Sequence, residues 1–596
     1  MKGVKWKGVV HKQQKRWKTL TDPSKDLAKE ISVELESSFT AAHAMMFRAA
    51  QGLVEVGMGF SGFVRWKFAD SSHIHEGANI IAARTNKTKA NVWAVEDVGD
   101  GSELYALRLY KGSNQPFLLH KGISPTFAVV GDRCYCLEVK KKLVYWRLVS
   151  FNAFTGKDRK VHYEEKDFRY NLDIIRGSEK HAFLRRQSAA KQDCFMIRDS
   201  SLIVLEGISL CSRRFIFGSE EGEYLGWTSG ATVAATSGAT SSGSWTASEK
   251  LLAAGWKLPD FAKAVPEDLD TGRGLMITCW YGCRSLWSIS RTSKPTLIWK
   301  GYGNLTIDPW GSPMIRLVRP GLDAYWFSSL AHKRLEDSFA LASAGKAQTA
   351  ISSDGTDIPF YTICADKPKG LIVICYSAYA MPTGLMTERW KPLLSRGWSL
   401  AIGMLRGGGD HTPEWADAGR CSGRELVLED AEAVVKAAQK ASSVPPARTV
   451  LYGRSAGGLW VGGLIAKYPQ GRLAAGAYME VPYLDALRTT TDRSLPLTEI
   501  EADEFGLPER DISEFVSVSR WSPMERIPRG GIPGVFQIVR TALNDSQVYA
   551  YESVKWVTRA GPSAFLAIEG EQGHFVSGSK NTEQMAEDLA VLLIKM

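Results

Sequence analysis

The sequence predicts a protein in two folded parts, an all-β part followed by an α/β part with a doubly wound, mostly parallel sheet. Short β-favouring runs, separated by Gly, Asp, Asn and Lys, occupy residues 59–344. From residue 345, continuous apolar runs alternate with helical stretches. The chain of 596 residues has 44% hydrophobic and 23% charged residues, near the averages for globular proteins, and is long enough for several domain-sized units.

Residues 1–58 are predicted to form a basic arm and a helical segment. The first 20 residues contain six lysines and Arg16 but no acidic residue. Asp22 and Pro23 are typical of a helix start and predict a helix that runs towards Phe39. The basic run has two interpretations, a solvated and frayed terminus or an anion-binding segment.

Residues 59–344 are predicted to form a β-propeller-like cap. Many short strands favour a sandwich, a barrel or a propeller. No repeat of fixed period is present, so the sequence predicts no blade count. Representative strand candidates are residues 90–98, 102–110, 142–151 and 275–283.

Residues 345–596 are predicted to form the α/β domain. Their apolar runs are continuous, which is typical of strands that are buried on both faces of a sheet. Helical stretches between these runs imply that helices cover both faces of a parallel sheet. The strand candidates are residues 371–376, 398–406, 449–453, 474–479, 534–540 and 563–570, and the helix candidates include 425–441, 548–560 and 581–595.

Charge and composition indicate which kinds of partner the protein is not expected to bind. The net charge is +10, but residues 345–596 hold 26 Lys and Arg against 29 Asp and Glu, so the excess of positive charge lies before them. We therefore expect no nucleic-acid partner. No run approaches the roughly 18 apolar residues of a membrane span, and the N-terminus lacks a secretory signal, so a cytoplasmic protein without a membrane partner is expected. The nine scattered cysteines predict reduced thiols, and neither a metal nor a cofactor is expected.

A G-x-S-x-G motif carries the strongest chemical signal. The apolar run TVLYG leads directly into Gly453-Arg454-Ser455-Ala456-Gly457, and a helical stretch follows. Between a strand and a helix, this motif places the serine on a sharp turn whose glycines allow the two elements to approach closely. Ser455 is therefore the candidate nucleophile of an α/β-hydrolase fold.

A serine nucleophile needs a base, and the base needs an acid that orients it. The α/β-hydrolase order of Ser, Asp and His can be tested here, since His574 is the one histidine after Ser455. Asp545 alone, among the aspartates between them, follows a buried strand and precedes a helix. The alternatives are a surface histidine at 574 and a helix N-cap at Asp545.

Four motifs resemble the prolyl oligopeptidase family, and most closely its oligopeptidase B branch. They are GRSAGG, RGGGDHTPEWADAG (406–419), LNDSQVYAYESVKW (543–556) and GHFVSGS (573–579). The resemblance covers roughly residues 345–596. It implies a serine peptidase whose β-propeller caps the active site, with Ser455 as nucleophile, His574 as general base and acid, and Asp545 as its orienter.

The resemblance also implies an oxyanion site and a substrate pocket. The Tyr376 hydroxyl and the Ala456 N–H would bind the oxyanion, although Ser377 and Ala380 replace glycines of the family. The segment 494–508 resembles the oligopeptidase B segment that receives a basic P1 side chain, which assigns Glu501 and Asp503 to this pocket. A packed core tyrosine and a solvated acidic stretch are the respective alternatives.

The sequence therefore predicts a serine oligopeptidase that cleaves short, cationic peptides after Arg or Lys, as a monomer or homodimer. Two alternatives remain open. One is a prolyl-peptidase, acylaminoacyl-peptidase or esterase of the same fold. The other is a noncatalytic β-rich interaction protein that carries a hydrolase remnant.

Overall fold

A computed structural model describes the chain from residue 4 to residue 596, apart from short intervals. The longest intervals outside the described residues are 98–103, 206–211, 229–243, 308–313 and 329–344, and those in the C-terminal part are 385–387, 571 and 576–578. The predicted domain boundary at residue 345 adjoins one of these intervals. Within the described ranges, no helix combines the length and apolar character that a membrane crossing requires.

The N-terminal segment forms two helices that pack on the C-terminal part of the chain. Helices α1 (Val4–Thr21) and α2 (Lys25–Ala42) are joined by the 3₁₀ turn Asp22–Ser24. Trp17 of α1 and Leu35 of α2 are buried in one cluster with residues of the last helix. The described lysines of the basic run, at positions 12, 15 and 18, are exposed on α1. This part of the run is therefore the outer side of a docked helix, because the apolar residues of α1 have a surface to cover. Strands begin soon after α2, before the predicted boundary at residue 58.

In the described residues, the β-rich region forms 24 strands in antiparallel sheets, together with one short helix, α3 (Glu249–Ala253). Consecutive strands are adjacent in each of these sheets. This order is that of successive hairpins, and it confirms the all-β prediction. The first sheet holds β1 (Ala44–Ala49), β2 (Gly52–Gly57), β3 (Gly59–Phe68), β4 (Ser72–Thr85), β5 (Val92–Asp97), β6 (Tyr105–Tyr110), β7 (Phe117–Val130), β8 (Arg133–Lys141), β9 (Val144–Asn152) and β10 (Lys160–Glu164). The second holds β11 (Asn171–Gly177), β12 (His181–Gln187), β13 (Gln192–Arg198) and β14 (Ser201–Val204). The third sheet holds β15 (Ser212–Phe217), β16 (Tyr224–Thr228) and β17 (Ser244–Ala247). The fourth holds β18 (Val265–Asp270), β19 (Leu275–Trp280), β20 (Cys283–Ser288) and β21 (Thr296–Tyr302). The fifth holds β22 (Asn304–Ile307), β23 (Met314–Val318) and β24 (Ala324–Ser328).

The α/β region, from residue 346 onwards and predicted to be the hydrolase region, is built on one eight-stranded sheet in its described residues. Its strands are β25 (Lys346–Ile351), β26 (Asp357–Ile363), β27 (Gly370–Cys375), β28 (Trp398–Gly403), β29 (Thr449–Arg454), β30 (Gly476–Glu480), β31 (Phe536–Ala542) and β32 (Ala564–Glu569). The order is β25-β26-β28-β27-β29-β30-β31-β32, and pairing is parallel from β28 to β32. The mostly parallel sheet is confirmed, and the two antiparallel strands at one edge were not predicted.

Helices cover both faces of this sheet. One face buries apolar residues of α6 (Arg424–Ser442), α7 (Gly458–Lys467) and α12 (Ala550–Ala560), and the other buries those of α13 (Ser579–Lys595) together with α1 and α2. The central strands β27, β28 and β30 are largely apolar because both of their faces are covered, whereas the edge strand β25 is mostly exposed. The helices are α4 (Lys391–Leu394), α5 (Pro413–Ala418), α6 (Arg424–Ser442), α7 (Gly458–Lys467), α8 (Ala486–Thr491), α9 (Ala502–Phe505), α10 (Ile512–Trp521), α11 (Pro523–Arg526), α12 (Ala550–Ala560) and α13 (Ser579–Lys595).

Parallel pairing brings the candidate catalytic and oxyanion residues to one edge of the sheet. Tyr376 follows β27, Ser455 follows β29, Asp545 lies after β31 and His574 lies after β32. Because these strands run in the same direction, their carboxyl ends share an edge, where α/β proteins place their sites.

Candidate active site

Ser455 occupies a strained turn between β29 and α7. Its backbone φ angle is +52°, a left-handed value that residues other than Gly rarely adopt. Ser455 is also the first residue of the 3₁₀ turn Ser455–Gly457. A Cβ added to Gly453 would lie 2.2 Å from the carbonyl oxygen of Gly457. The glycine thus lets the strand and the turn approach closely, and the serine side chain is presented at the end of the sheet.

Ser455, His574 and Asp545 form one hydrogen-bonded chain. His574 Nε2 lies 3.0 Å from Ser455 Oγ, and His574 Nδ1 lies 2.8 Å from Asp545 Oδ2. His574 and Asp545 are only 2% and 3% exposed. In this arrangement a proton can pass from the hydroxyl to Nε2 while the carboxylate fixes the ring and balances the imidazolium charge.

The second carboxylate oxygen of Asp545 also accepts hydrogen bonds. Oδ1 accepts hydrogen bonds of 2.9 Å from the backbone N–H groups of Gln547 and Val548. The following helix begins only at Ala550, and its N-cap residue is Tyr549. Asp545 is therefore not the helix N-cap that the sequence left open; the two backbone bonds hold its carboxylate towards His574.

Ala456 belongs to the nucleophile turn, and Tyr376 lies beside this turn. Tyr376 is half-buried at the end of β27, and its Cδ2 would be 3.6 Å from a Cβ added to Gly457. Burial, reinforced by the nearby Glu501 carboxyl, raises the pKa of the Tyr376 phenol well above its usual value. The phenol therefore keeps its proton and can donate a hydrogen bond. Ala456 is buried directly after Ser455.

A pocket opens beside Ser455, and Glu501 lies in it. Among the described lining residues, Glu501 alone carries a formal charge; the others are Tyr379, Ser455, Ala456, Tyr483, Thr489, Thr490, Leu495, Pro496, Leu497, Thr498, Phe505, Gln547, Val548 and Tyr549. The Tyr379 hydroxyl donates a 2.7 Å hydrogen bond to Glu501 Oε1. Burial raises the pKa of Glu501 to about 7, even though this hydrogen bond lowers it. Near neutral pH the pocket can therefore hold either a carboxyl or a carboxylate.

Asp503, the second residue predicted for this pocket, does not line it. Its side chain is exposed on α9, whereas Glu504 is buried. Residues three apart share a face of a helical turn, so Glu501 and Glu504 point inwards together and Asp503 points to solvent. Glu504 accepts from the Tyr379 N–H at 2.8 Å and forms ion pairs with Arg420 and Arg424. The two arginines balance the negative charge of Glu504, so Glu501 is the carboxyl group available to a substrate in this pocket.

A second cavity of about 500 Å³ lies between the β-rich region and the hydrolase region. Arg185 and Gln187 of β12 line one side, and Arg420 lies on the other. Tyr379 and Glu501 line both this cavity and the pocket beside Ser455, so the two spaces adjoin.

The sequence analysis did not identify Tyr379 as a site residue, whereas it noted Ala380 as a replacement of a family glycine. Tyr379 has a φ of +60° and Ala380 one of +52°, and Ala380 stands where the resembled family has glycine. The available signal was the second tyrosine of YSAYA, three residues after Tyr376. In the described part of the chain, no group of three or more His, Cys, Asp or Glu residues could hold a metal ion.

Residues 386–594 match the model of the prolyl oligopeptidase family. Curated relatives include a "Prolyl endopeptidase-like" protein of Rattus norvegicus, 32% identical over 207 residues that make up 34% of this chain and 28% of that protein. "Protease 2" of Moraxella lacunata is 26% identical over 238 residues, 38% of this chain and 34% of its own length. The matched segment thus spans about a third of the length of these relatives.

Solved structures are similar over nearly the whole chain. Oligopeptidase B from Leishmania major has a TM-score of 0.78 at 16% identity, covering 98% of this chain and 91% of that one. A post-proline cleaving enzyme from Rickettsia typhi has a TM-score of 0.76 at 14% identity, covering 100% and 98%. This likeness confirms the predicted fold, a β-propeller before an α/β-hydrolase domain. The match of residues 386–594 to the family model confirms the resemblance seen in the motifs, and this part of the chain is similar to the prolyl oligopeptidase family.

Proposed function

We propose that this chain is a serine oligopeptidase that hydrolyses short peptides through an acyl-enzyme. The hydrogen-bonded chain from Ser455 through His574 to Asp545 carries the proposal. It lies at the carboxyl edge of a parallel sheet, with the nucleophile on a strained strand–helix turn. The match of residues 386–594 to the prolyl oligopeptidase family model supports peptide-bond hydrolysis.

The proposed reaction follows from this geometry. Ser455 Oγ attacks the scissile carbonyl carbon while His574 Nε2 takes the hydroxyl proton. The Ala456 N–H and the Tyr376 O–H stabilise the oxyanion, and each such donor is worth about 2.7–4 kcal/mol to the transition state. The C–N bond then breaks as His574 returns the proton to the leaving amine. Water, activated by His574, hydrolyses the acyl-enzyme by the same route and restores Ser455.

Cleavage after Arg or Lys is the proposed specificity, with Glu501 as the residue that receives the P1 cation. Glu501 is enclosed in the pocket that contains Ser455. A P1 guanidinium or ammonium would ionise the carboxyl group and form a charge-assisted hydrogen bond with it. An uncharged side chain would leave a carboxyl group without this partner. Because Asp503 is exposed, the proposal depends on one carboxylate and not two.

A second candidate is cleavage after proline or another uncharged residue. The lining of the pocket favours it, because Tyr483, Phe505 and Val548 present apolar surface there. At a pKa of about 7, Glu501 is also neutral in about half of the molecules at pH 7, which lowers the cost of leaving it without a cation. In either case, the adjoining cavity of about 500 Å³ is the space proposed for the rest of a short peptide, since a folded protein is far larger than this volume.

A set of matched fluorogenic peptides with Arg, Lys, Pro or Ala at P1 tests the proposal. Wild type and Ser455→Ala are compared at equal protein concentration. We expect turnover of the Arg and Lys peptides that disappears in Ser455→Ala. Preference for Pro or Ala would select the second candidate. Absence of hydrolysis of every peptide would favour a noncatalytic protein with a hydrolase remnant.

A further inference from the structure

Arg454, the residue before the nucleophile, makes a direct contact with the segment that carries the base. Its Nη2 donates a 2.6 Å hydrogen bond to the backbone carbonyl oxygen of His574. Its guanidinium also lies over the ring of Phe575, 5.5 Å from the ring centroid. The two segments are 120 residues apart in the sequence, so this contact joins two separate parts of the active site.

Glu480 holds the guanidinium from the other side. Its Oε2 lies 3.9 Å from Arg454 Nη1, at the end of β30, the strand next to β29. Burial alone would raise the pKa of Glu480, but the charges of Arg389 and Arg454 outweigh it and lower the pKa to about 2. Glu480 is therefore ionised at neutral pH.

The Glu480 carboxylate is itself fixed. It accepts hydrogen bonds from Arg389 Nη2 at 2.8 Å and from the hydroxyls of Tyr452 and Tyr478 at 2.5 Å each. These partners remain when Arg454 is replaced, so the loss of Arg454 does not leave a buried carboxylate without bonds. The anchor of Arg454 thus belongs to the rigid sheet, and its other end holds the segment around His574.

We propose that Arg454 is a positioning residue that clamps the His574 segment to the nucleophile turn. This inference rests on the proposed function, because it assigns Arg454 to the geometry of the Ser455–His574 pair. Nε2 is useful as a base only within hydrogen-bond reach of Oγ, and a displacement of about 1 Å can cost roughly 100-fold in rate. Arg454 touches the backbone behind the imidazole, so it acts through His574 and not on the substrate.

The test replaces Arg454 with Met, which keeps a long apolar side chain and removes every donor. We expect kcat on the best peptide substrate to fall about 10- to 100-fold while KM changes less than about twofold. Arg454→Lys keeps the charge and one possible donor, and should recover part of kcat. Amide hydrogen exchange should become faster in peptides that contain Gln572–His574 of Arg454→Met and stay unchanged in β30 and β31.

Arg448→Met is the matched control. Arg448 precedes the same strand at its other end, where its Nη1 donates a 2.9 Å hydrogen bond to the carbonyl oxygen of Lys369. Its removal should change neither kcat nor exchange around His574. Wild-type kcat and unchanged exchange in Arg454→Met would overturn the clamp, even if wild type is an active peptidase. If wild type hydrolyses no peptide, the proposed function fails, and the exchange measurement alone still decides whether Arg454 holds the His574 segment.

Discussion

Replacement of Glu501 by Gln tests the specificity of the pocket, and the neighbouring Asp503 supplies its control. Glu501 lies enclosed beside Ser455, and the Tyr379 hydroxyl donates to one of its oxygens. Asp503 is only two residues away, carries the same charge and faces solvent. Glu501→Gln removes the charge with little change of volume. Asp503→Asn removes a charge from the same segment without reaching the pocket.

The expected magnitude follows from the burial of Glu501. Loss of one partner from a buried ion pair costs about 3–5 kcal/mol, because the other charge is left uncompensated. At about 1.36 kcal/mol for each tenfold change, kcat/KM for an Arg peptide should fall roughly 150- to 5000-fold in Glu501→Gln. The Ala peptide should change little. Asp503→Asn should leave both peptides within about twofold of wild type, since exposed charges contribute little.

The pH dependence gives a second measure of the same group. Burial raises the pKa of Glu501 to about 7, so the carboxylate that binds a cation is scarce below this pH and prevalent above it. The ratio of kcat/KM for Arg over Ala peptides should therefore rise from pH 5 to about pH 7 and level off above pH 8. Taking the ratio removes the protonation steps that both substrates share. The rise should be absent in Glu501→Gln.

The assay is initial-rate hydrolysis of the paired peptides by wild type and both variants across this pH range. A Glu501→Gln enzyme that keeps its preference for Arg would refute the assignment of the P1 pocket. Equal losses in Asp503→Asn would point instead to long-range electrostatics, and the enclosed carboxyl would not be the reason for the preference.

Three further substitutions test the oxyanion site, the nucleophile turn and the docking of α1. Tyr376→Phe should lower kcat by roughly 100- to 1000-fold with an unchanged melting temperature, and a loss below about threefold would remove the phenol from the oxyanion site. Gly453→Ala should lower the melting temperature, because the added Cβ would lie 2.2 Å from the Gly457 carbonyl oxygen. Gly530→Ala is the control and should leave the melting temperature unchanged, since no atom lies within 4 Å of the added Cβ. Trp17→Ala should destabilise the hydrolase domain by about 3–5 kcal/mol in denaturant unfolding, because this side chain is 8% exposed and donates to Glu587; a change under 1 kcal/mol would mean that α1 is not docked.

The sheet of the hydrolase domain was predictable because burial on both faces leaves continuous apolar runs. All six predicted runs contain or overlap strands, from Gly370–Cys375 to Ala564–Glu569. The candidate residues could be found for a similar reason. A parallel sheet brings strand ends to one edge, so the chain order of Ser455, Asp545 and His574 was enough to group them.

Contacts between distant segments could not be predicted in this way. The docking of α1 depends on Trp17 meeting residues near the C-terminus, and no local pattern encodes such a partner. The exposure of Asp503 depends on a single helical turn, Ala502–Phe505, which is too short to leave a periodic signal. The contact of Arg454 with the His574 carbonyl likewise arises only when β29 and the segment after β32 reach the same edge.

The most direct test of the central claim is covalent labelling by a serine-directed fluorophosphonate, followed by intact-mass and peptide-mass measurement. We expect one phosphonyl group per chain, located on Ser455, in wild type. Labelling should be abolished in Ser455→Ala and slowed at least about 100-fold in His574→Ala, because the base can no longer take the hydroxyl proton. A label that persists in Ser455→Ala, or a wild-type protein that takes up none, would contradict the assignment of Ser455, His574 and Asp545 as a hydrolytic triad.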